Sequence, residues 1–133
     1  MNVLFVCTAN SGRSLIAERL FRLEADGRHL ARSAGSTPGT AAHPQVVAAL
    51  AEIGIDASDH VPCRLDEEAI DWAHVVVATC DDACPTVPGK RCVSWPLPDP
   101  KNEPLERVRQ IRDEIAARTH ELLGELDSEA SAP

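Results

Sequence analysis

Hydrophobic and polar positions alternate along this chain in a way that predicts strands and helices in turn. The apolar run NVLFV near the start is typical of a short buried strand. After a turn of small residues, apolar side chains from Leu15 to Leu23 recur at helical spacing. HLARSAGS, which ends near Gly35, predicts a second strand, and the Pro, Gly and Thr residues of STPGTAAHP predict a loop.

The second half of the chain continues the same pattern. HPQVVAALAEIGI predicts a helix that begins near Pro44 and ends at Gly54, with Val46, Val47, Leu50 and Ile53 on one face. HVVVAT is the clearest strand, and RCVSW predicts a fourth strand that the prolines of PLPDP end. Apolar spacing from Glu103 to about Leu126 predicts one long amphipathic helix, and DSEASAP, residues 127–133, is expected to fray.

Strands that alternate with helices predict an α/β fold in which a parallel sheet is covered on both faces. The chain has 133 residues, which suits one compact domain, and we assign that domain to residues 1–126. In open parallel sheets, ligands bind beyond the carboxyl ends of the strands. Cys7, Cys80 and Asp99 all follow predicted strands, so we expect the functional site there.

Composition narrows the class of protein. The net charge of −8 argues against nucleic acid or an anionic membrane as a partner, because both need a basic surface. We find no apolar stretch long enough to span a membrane and no export signal at the start, so we expect a soluble, cytoplasmic protein. An odd number of cysteines, 5, then points to thiol chemistry or metal binding more than to a disulfide framework.

The stretch VCTANSGRS has the properties of an anion-binding turn with a reactive thiol. A turn that leads from a strand into a helix presents backbone N–H groups and the positive end of the helix dipole. Arg13 adds a planar, two-pronged donor, and the same positive field favours ionisation of Cys7. Ser14 is placed to donate to the thiolate or to cap the helix. The remaining oxyanion-binding candidates are Thr8, Ala9, Asn10, Ser11 and Gly12.

From about Asn2 to Leu126 the chain resembles the low-molecular-weight protein tyrosine phosphatase superfamily, and within it the thioredoxin-coupled arsenate reductases. VCTANSGRS, ARSAGS and WPLPDP carry the resemblance. It implies a three-layer fold with a four-stranded parallel sheet flanked by helices, and no cofactor. It also implies that Cys7 is the nucleophile, that Arg13 binds the oxyanion, and that Asp99 protonates the leaving oxygen. Three further residues match positions that support the loop or the thiolate: Asn10, Ser14 and Ser33.

The run TCDDACP favours a reductase over a phosphatase. Hydrolysis needs one cysteine, whereas reducing arsenate to arsenite requires thiols that end as a disulfide. The resemblance implies that Cys80 and then Cys84 resolve the adduct on Cys7, with thioredoxin as the final reductant. Only three residues separate these two cysteines, fewer than in the family pattern. On a helix this spacing leaves Cβ atoms about 5–6 Å apart, too far for a disulfide with a Cβ separation of about 3.8 Å, so the segment must rearrange.

Three alternatives stay open beside a monomeric, thioredoxin-coupled reductase. One is a small phosphatase, although the chain has no tyrosine and offers only Trp72 and Trp95 to line a pocket for a phenyl ring. Another is a reductase coupled to a small thiol such as mycothiol, for which the extra cysteines are not needed. The last is an anion-binding module without turnover. Phosphate and sulfate are expected to mimic arsenate in each case.

Two further expectations concern cysteines and potassium. We expect Cys63 and Cys92 to be packed and unreactive, although Cys63 is a rival resolving thiol. Some reductases of the family bind potassium beside the loop, and Asn10, Glu18 and Ser33 match residues of that site. Val61 and Cys63 stand where further oxygen ligands belong. We therefore expect no potassium site and no other metal.

Overall fold

A computed structural model describes residues 1–79 and 90–130 of the chain. Cys80 and Cys84 lie outside the described residues. The described elements follow in the order β1 (Asn2–Cys7), α1 (Arg13–Ala25), β2 (Leu30–Gly35), α2 (Pro44–Ala51), α3 (Glu67–Trp72), β3 (Val75–Ala78), β4 (Arg91–Ser94) and α4 (Leu105–Ala130).

The four strands form one parallel sheet in the order β2-β1-β3-β4. β1 lies inside the sheet, and its last residue, Cys7, is in register with Gly35 at the end of β2. Because every strand runs in the same direction, the segments that follow them meet at one edge of the sheet. The predicted α/β fold is confirmed.

Helices cover both faces of the sheet, which gives the predicted three layers. Side chains alternate along β1, so that Val3 and Phe5 pack with α1, α2 and α4, whereas Leu4 and Val6 pack with α3. Phe5 lies at the centre of the larger cluster, with ring centroids 5.6 Å from Phe21 and 5.9 Å from Trp95. The core is otherwise aliphatic.

The structure contains one helix that sequence periodicity did not predict. α3 is six residues long, too short for a helical repeat to stand out. Asp66 caps its N-terminus by accepting a hydrogen bond from the N–H of Ala69, at 2.8 Å. The prediction for α2 was also too long. The helix ends at Ala51, so Ile53 is 41% exposed and does not share the buried face.

The last helix continues beyond its predicted end, to Ala130. The expectation that the chain frays from residue 127 was therefore wrong for residues 127–130. Two sets of ion pairs explain the extension. Asp127 pairs with Arg28 and His29, at 3.1 and 2.9 Å, and Glu129 pairs with Arg91 on β4, at 2.7 Å. None of the helices in residues 1–79 and 90–130 is long and apolar enough to span a membrane.

Candidate active site

The loop between β1 and α1 lies at the carboxyl edge of the sheet, where Cys7 ends the strand and Arg13 opens the helix. The end of β2 packs directly against it. A Cβ atom on Gly35 would lie 2.5 Å from the carbonyl oxygen of Thr8 and 2.9 Å from the nitrogen of Asn10. Only glycine permits this approach, so Gly35 is needed for the loop to fold against its neighbouring strand.

Backbone carbonyls of the loop are held by groups outside it. Four of them accept N–H bonds from the segment that follows β2: Cys7 from Ser36 (3.1 Å), Thr8 from Thr37 (2.8 Å), Ala9 from Gly39 (2.9 Å) and Ser11 from His43 (3.0 Å). The carbonyl of Gly12 accepts from Ile16 within α1, at 2.9 Å. With the carbonyls held from outside, the N–H groups of the loop are free to turn inward, as that of Asn10 does toward Cys7 Sγ, at 3.2 Å. This is the arrangement of an anion-binding nest.

Two donors approach the sulfur of Cys7. The N–H of Asn10 lies 3.2 Å from Cys7 Sγ, and the hydroxyl oxygen of Ser14 lies 2.9 Å from it. Ser14 Oγ also accepts a hydrogen bond from Asn10 Nδ2, at 2.8 Å. The amide of Asn10 thus donates to Ser14 Oγ, and the hydroxyl proton of Ser14 stays available for a hydrogen bond to the sulfur. Cys7, Asn10 and Ser14 are all buried, so these contacts are shielded from bulk water.

Asn10 holds the loop in shape from its centre. Its φ angle of 53° is in the left-handed region, which asparagine tolerates better than most residues. Its side-chain oxygen accepts from the N–H of Cys63, at 2.9 Å, and its backbone carbonyl pairs with Nε2 of His60, at 2.8 Å. The sequence pointed to Asn10 but gave no signal for His60, which comes from a distant loop.

Arg13 and Asp99 meet over the loop. Arg13 is 10% exposed, and its Nη1 donates to the carbonyl of Leu97, at 3.0 Å, so the guanidinium has a fixed position. Its Nη2 lies 3.9 Å from Asp99, which is 56% exposed. Asp99 in turn accepts from the N–H of Lys101, at 2.9 Å. The structure thus brings Cys7, Arg13 and Asp99 to one pocket.

That pocket has a volume of about 160 Å³. It is lined by Cys7, Thr8, Ala9, Ser11, Gly12, Arg13, His43, Asp99 and Lys101. Gly12 sets the distance between loop and acid, because a Cβ atom there would lie 2.7 Å from Cγ of Pro100 and 3.3 Å from Cδ2 of His43. The residues described at the lining include neither tryptophan. Trp95 is buried in the core, and Trp72 stacks under Arg32.

Sequence reasoning missed two lining residues, His43 and Lys101. Burial lowers the pKa of His43; Lys101 and Arg13 lower it further, and Asp99 acts in the opposite direction. His43 precedes α2, and its relation to the loop exists only in the folded chain, where its backbone N–H donates to Ser11 and its ring lies opposite Gly12. Lys101 follows the predicted acid by two residues and could have been noticed there.

The hydrogen bond of the Ser33 side chain goes to a residue of α1 and not to the anion-binding loop. Its hydroxyl donates to Glu18, and the carboxylate of Glu18 also pairs with Arg22, at 3.1 Å, and Arg19, at 3.5 Å. Two arginines therefore already neutralise the negative charge of Glu18, which a potassium ion would otherwise do. The side chain of Asn10 is equally committed, to Ser14 and Cys63. These residues do not fit a potassium ion, and the described residues contain no cluster suited to a metal.

The expectation that Cys63 and Cys92 are packed was wrong, because both are exposed. Cys63 is held by its backbone: its N–H donates to Asn10, and its carbonyl accepts from Gly35, at 2.8 Å. The thiol itself needs no burial for that role. Cys92 lies on β4, whose residues are mostly exposed. Burial is thus not a reason to regard either thiol as inert.

Comparisons with known proteins agree with this geometry. The family model for low molecular weight phosphotyrosine protein phosphatases matches residues 2–132. An arsenate reductase of Staphylococcus aureus is 33% identical over 118 residues, which cover 85% of this chain and 88% of the relative. The structure of a thioredoxin-dependent arsenate reductase of Corynebacterium glutamicum superposes with a TM-score of 0.83 at 36% identity, covering 96% of this chain but 62% of that one. The arginine phosphatase of Geobacillus stearothermophilus superposes with a TM-score of 0.81 at 30% identity, covering 96% and 94%.

Proposed function

Because the chain belongs to the low molecular weight phosphotyrosine protein phosphatase family, we propose that it reduces arsenate to arsenite through a relay of Cys7, Cys80 and Cys84 that thioredoxin recharges. One observation carries the proposal. Cys7 is buried and lines a small pocket together with Arg13 and Asp99. The relatives named as arsenate reductases support the choice of substrate.

The first step is attack of the Cys7 thiolate on arsenic. A sulfur–arsenic bond forms, and one arsenic–oxygen bond breaks. Asp99, as a carboxylic acid, gives its proton to the departing oxygen, which leaves as water. The N–H groups of the loop and the guanidinium of Arg13 hold the other oxygens. Arsenic remains in its higher oxidation state in this adduct.

The second step transfers two electrons to arsenic. The thiolate of Cys80 attacks Cys7 Sγ, a Cys7–Cys80 disulfide forms, and the sulfur–arsenic bond breaks with its electron pair on arsenic, which leaves as arsenite. The thiolate of Cys84 then attacks Cys80, forming a Cys80–Cys84 disulfide and releasing the Cys7 thiolate. A dithiol such as that of thioredoxin reduces the outer disulfide. A relay of this kind operates in a reducing compartment, so we assign the protein to the cytoplasm.

Phosphatase activity is the second candidate, because the same loop and acid suffice for phosphoester hydrolysis and because the Geobacillus structure is an arginine phosphatase. The pocket argues against an aryl phosphate as the main substrate. The lining described above contains no phenyl or indole ring, and its cations Arg13 and Lys101 suit a compact oxyanion. We therefore expect hydrolysis of phosphoesters to be a weak side activity.

Arsenate-dependent oxidation of NADPH, coupled through thioredoxin and thioredoxin reductase, tests the proposal. The wild-type protein should turn over repeatedly, and Cys84→Ser should stop after one turnover, while the matched variant Cys92→Ser should continue. Peptide mapping after one turnover without reductant should find a Cys80–Cys84 disulfide in the wild type and a Cys7–Cys80 disulfide in Cys84→Ser.

Three results would redirect the assignment. No arsenate-dependent oxidation with any thiol donor removes the reductase function. Turnover with mycothiol but not with thioredoxin changes the reductant. Full hydrolysis of p-nitrophenyl phosphate by a protein lacking both Cys80 and Cys84, without arsenate reduction by the wild type, identifies a phosphatase.

A further inference from the structure

His43 stands at the mouth of the oxyanion pocket and has no role in the steps above. We propose that His43 is an additional oxyanion-binding residue, which takes up a proton when a tetrahedral dianion enters the pocket. This inference rests on the oxyanion-binding part of the proposed function. It adds to that function a group that couples substrate binding to pH.

The position of the imidazole is set by contacts on two sides. Its backbone N–H donates to the carbonyl of Ser11, at 3.0 Å, which ties the start of α2 to the loop. Its ring reaches the surface of Gly12, where the missing side chain leaves space for it beside Pro100. The ring therefore lines the same cavity as Cys7 and Arg13. A ligand held by the loop's N–H groups enters this cavity.

The groups that face the ring explain why its charge depends on the ligand. Arg13 from α1 and Lys101 from the loop before α4 disfavour the imidazolium, and so does partial burial; Asp99 favours it. In the empty pocket the balance lowers the pKa of His43, so the ring is mainly neutral at neutral pH. A bound dianion adds negative charge on the same side, which favours the imidazolium. The proton comes from solvent, and the charged ring then offers the ligand an N–H donor and a positive charge.

Proton uptake has a thermodynamic consequence that can be measured. If one proton is bound together with the anion, affinity falls by up to about tenfold per pH unit between the pKa of the empty pocket and that of the occupied one. A purely structural histidine produces no such slope. The effect must be separated from titration of the ligand and of Cys7.

Measuring sulfate binding to the Cys7→Ser variant removes titration of the ligand and of residue 7 from the result. Sulfate stays a dianion near neutral pH, and serine does not ionise there. Calorimetry between pH 6 and 8, in two buffers of different ionisation enthalpy at constant ionic strength, gives the sulfate affinity and the number of protons taken up. Cys7→Ser should take up a substantial fraction of one proton and show the falling affinity. The double variant Cys7→Ser/His43→Asn should lose both.

The variants are chosen so that folding does not confuse the result. Asparagine is a favourable residue at a helix N-cap, the position that His43 occupies before α2. His120→Asn makes the same change at an exposed histidine on α4, and should leave the proton uptake unchanged. The side-chain NMR signals of His43 provide a second measurement without substitution at that residue, since sulfate should move its titration to higher pH.

Each outcome decides a different statement. Equal proton uptake with and without His43, or a His43 titration that sulfate does not move, overturns this inference and leaves the reductase proposal intact. Failure of sulfate, phosphate and arsenate to bind the pocket at all contradicts the oxyanion site itself, and both proposals fail with it.

Discussion

Removing the hydroxyl of Ser14 should make Cys7 much less reactive. Ser14 Oγ lies 2.9 Å from the sulfur, both residues are buried, and Asn10 Nδ2 donates to the same oxygen, which leaves the hydroxyl proton available for a hydrogen bond to the sulfur. A hydrogen bond to a charged group contributes about 1.5–3 kcal/mol. Since about 1.4 kcal/mol corresponds to tenfold, Ser14→Ala should lower the alkylation rate of Cys7 about 10- to 100-fold.

The assay is alkylation of Cys7 by iodoacetamide, followed by peptide mass spectrometry so that the other cysteines do not interfere. Rates are compared on the acidic limb of the pH profile, where they are proportional to the thiolate fraction. Ser11→Ala is the matched control, because the Ser11 hydroxyl donates to the carbonyl of Ala9, at 3.1 Å, and not to the sulfur. A decrease of less than about threefold in the alkylation rate of Ser14→Ala on the acidic limb refutes the reasoning. So does an equal decrease in both variants.

Four further predictions follow from the described contacts. Asp99→Asn should reduce arsenate turnover at least about 100-fold while sulfate affinity changes little, because a general acid acts on the leaving oxygen and not on binding; equal losses in both would contradict that role. Gly12→Ala should also reduce turnover, because its Cβ would lie 2.7 Å from Pro100 and push away the loop that carries Asp99. Normal turnover in this variant would show that the loop moves freely. Asp127→Asn should destabilise the protein at pH 7, and this difference should disappear as the pH falls through the lowered pKa of the folded carboxyl. The hydrogen bond from His29 lowers the pKa of Asp127, so its stabilisation is present at neutral pH and is lost as the carboxyl protonates. A difference in urea midpoint that does not vary with pH would refute this. Replacing potassium chloride by sodium chloride should leave turnover unchanged, because arginines already balance the only carboxylate that matches a potassium ligand; several-fold activation by potassium would reverse that conclusion.

Local periodicity was enough to predict most of the fold. Each of the four described strands and the helices α1, α2 and α4 corresponds to a contiguous segment whose sequence pattern predicted it. The errors fell where a tertiary contact decides the outcome. α3 is too short to show a repeat, and the end of α4 is held by His29 and Arg91, which are remote in sequence.

The site divides in the same way. Cys7, the anion-binding loop and Arg13 lie within one short motif, so their proximity follows from chain connectivity alone. The position of Asp99 after a predicted strand placed it at the same sheet edge, whereas its role as the acid came only from the resemblance to a family loop. His43 and His60 were not found, because nothing in their immediate sequence indicates that they face Gly12 and Asn10.

By itself, the sequence determined the class of fold and the chemistry of one turn: an aliphatic parallel sheet, and a thiol next to an anion-binding loop with an arginine. These properties are carried by neighbouring residues and need no long-range information. Only the tertiary structure decided what surrounds the thiol. The strand order β2-β1-β3-β4 brings Gly35, His43 and Asp99 to the edge where Cys7 ends, because parallel strands direct all their carboxyl ends to one side. Hydrogen bonds between segments far apart in sequence depend on that register, and no local pattern encodes them.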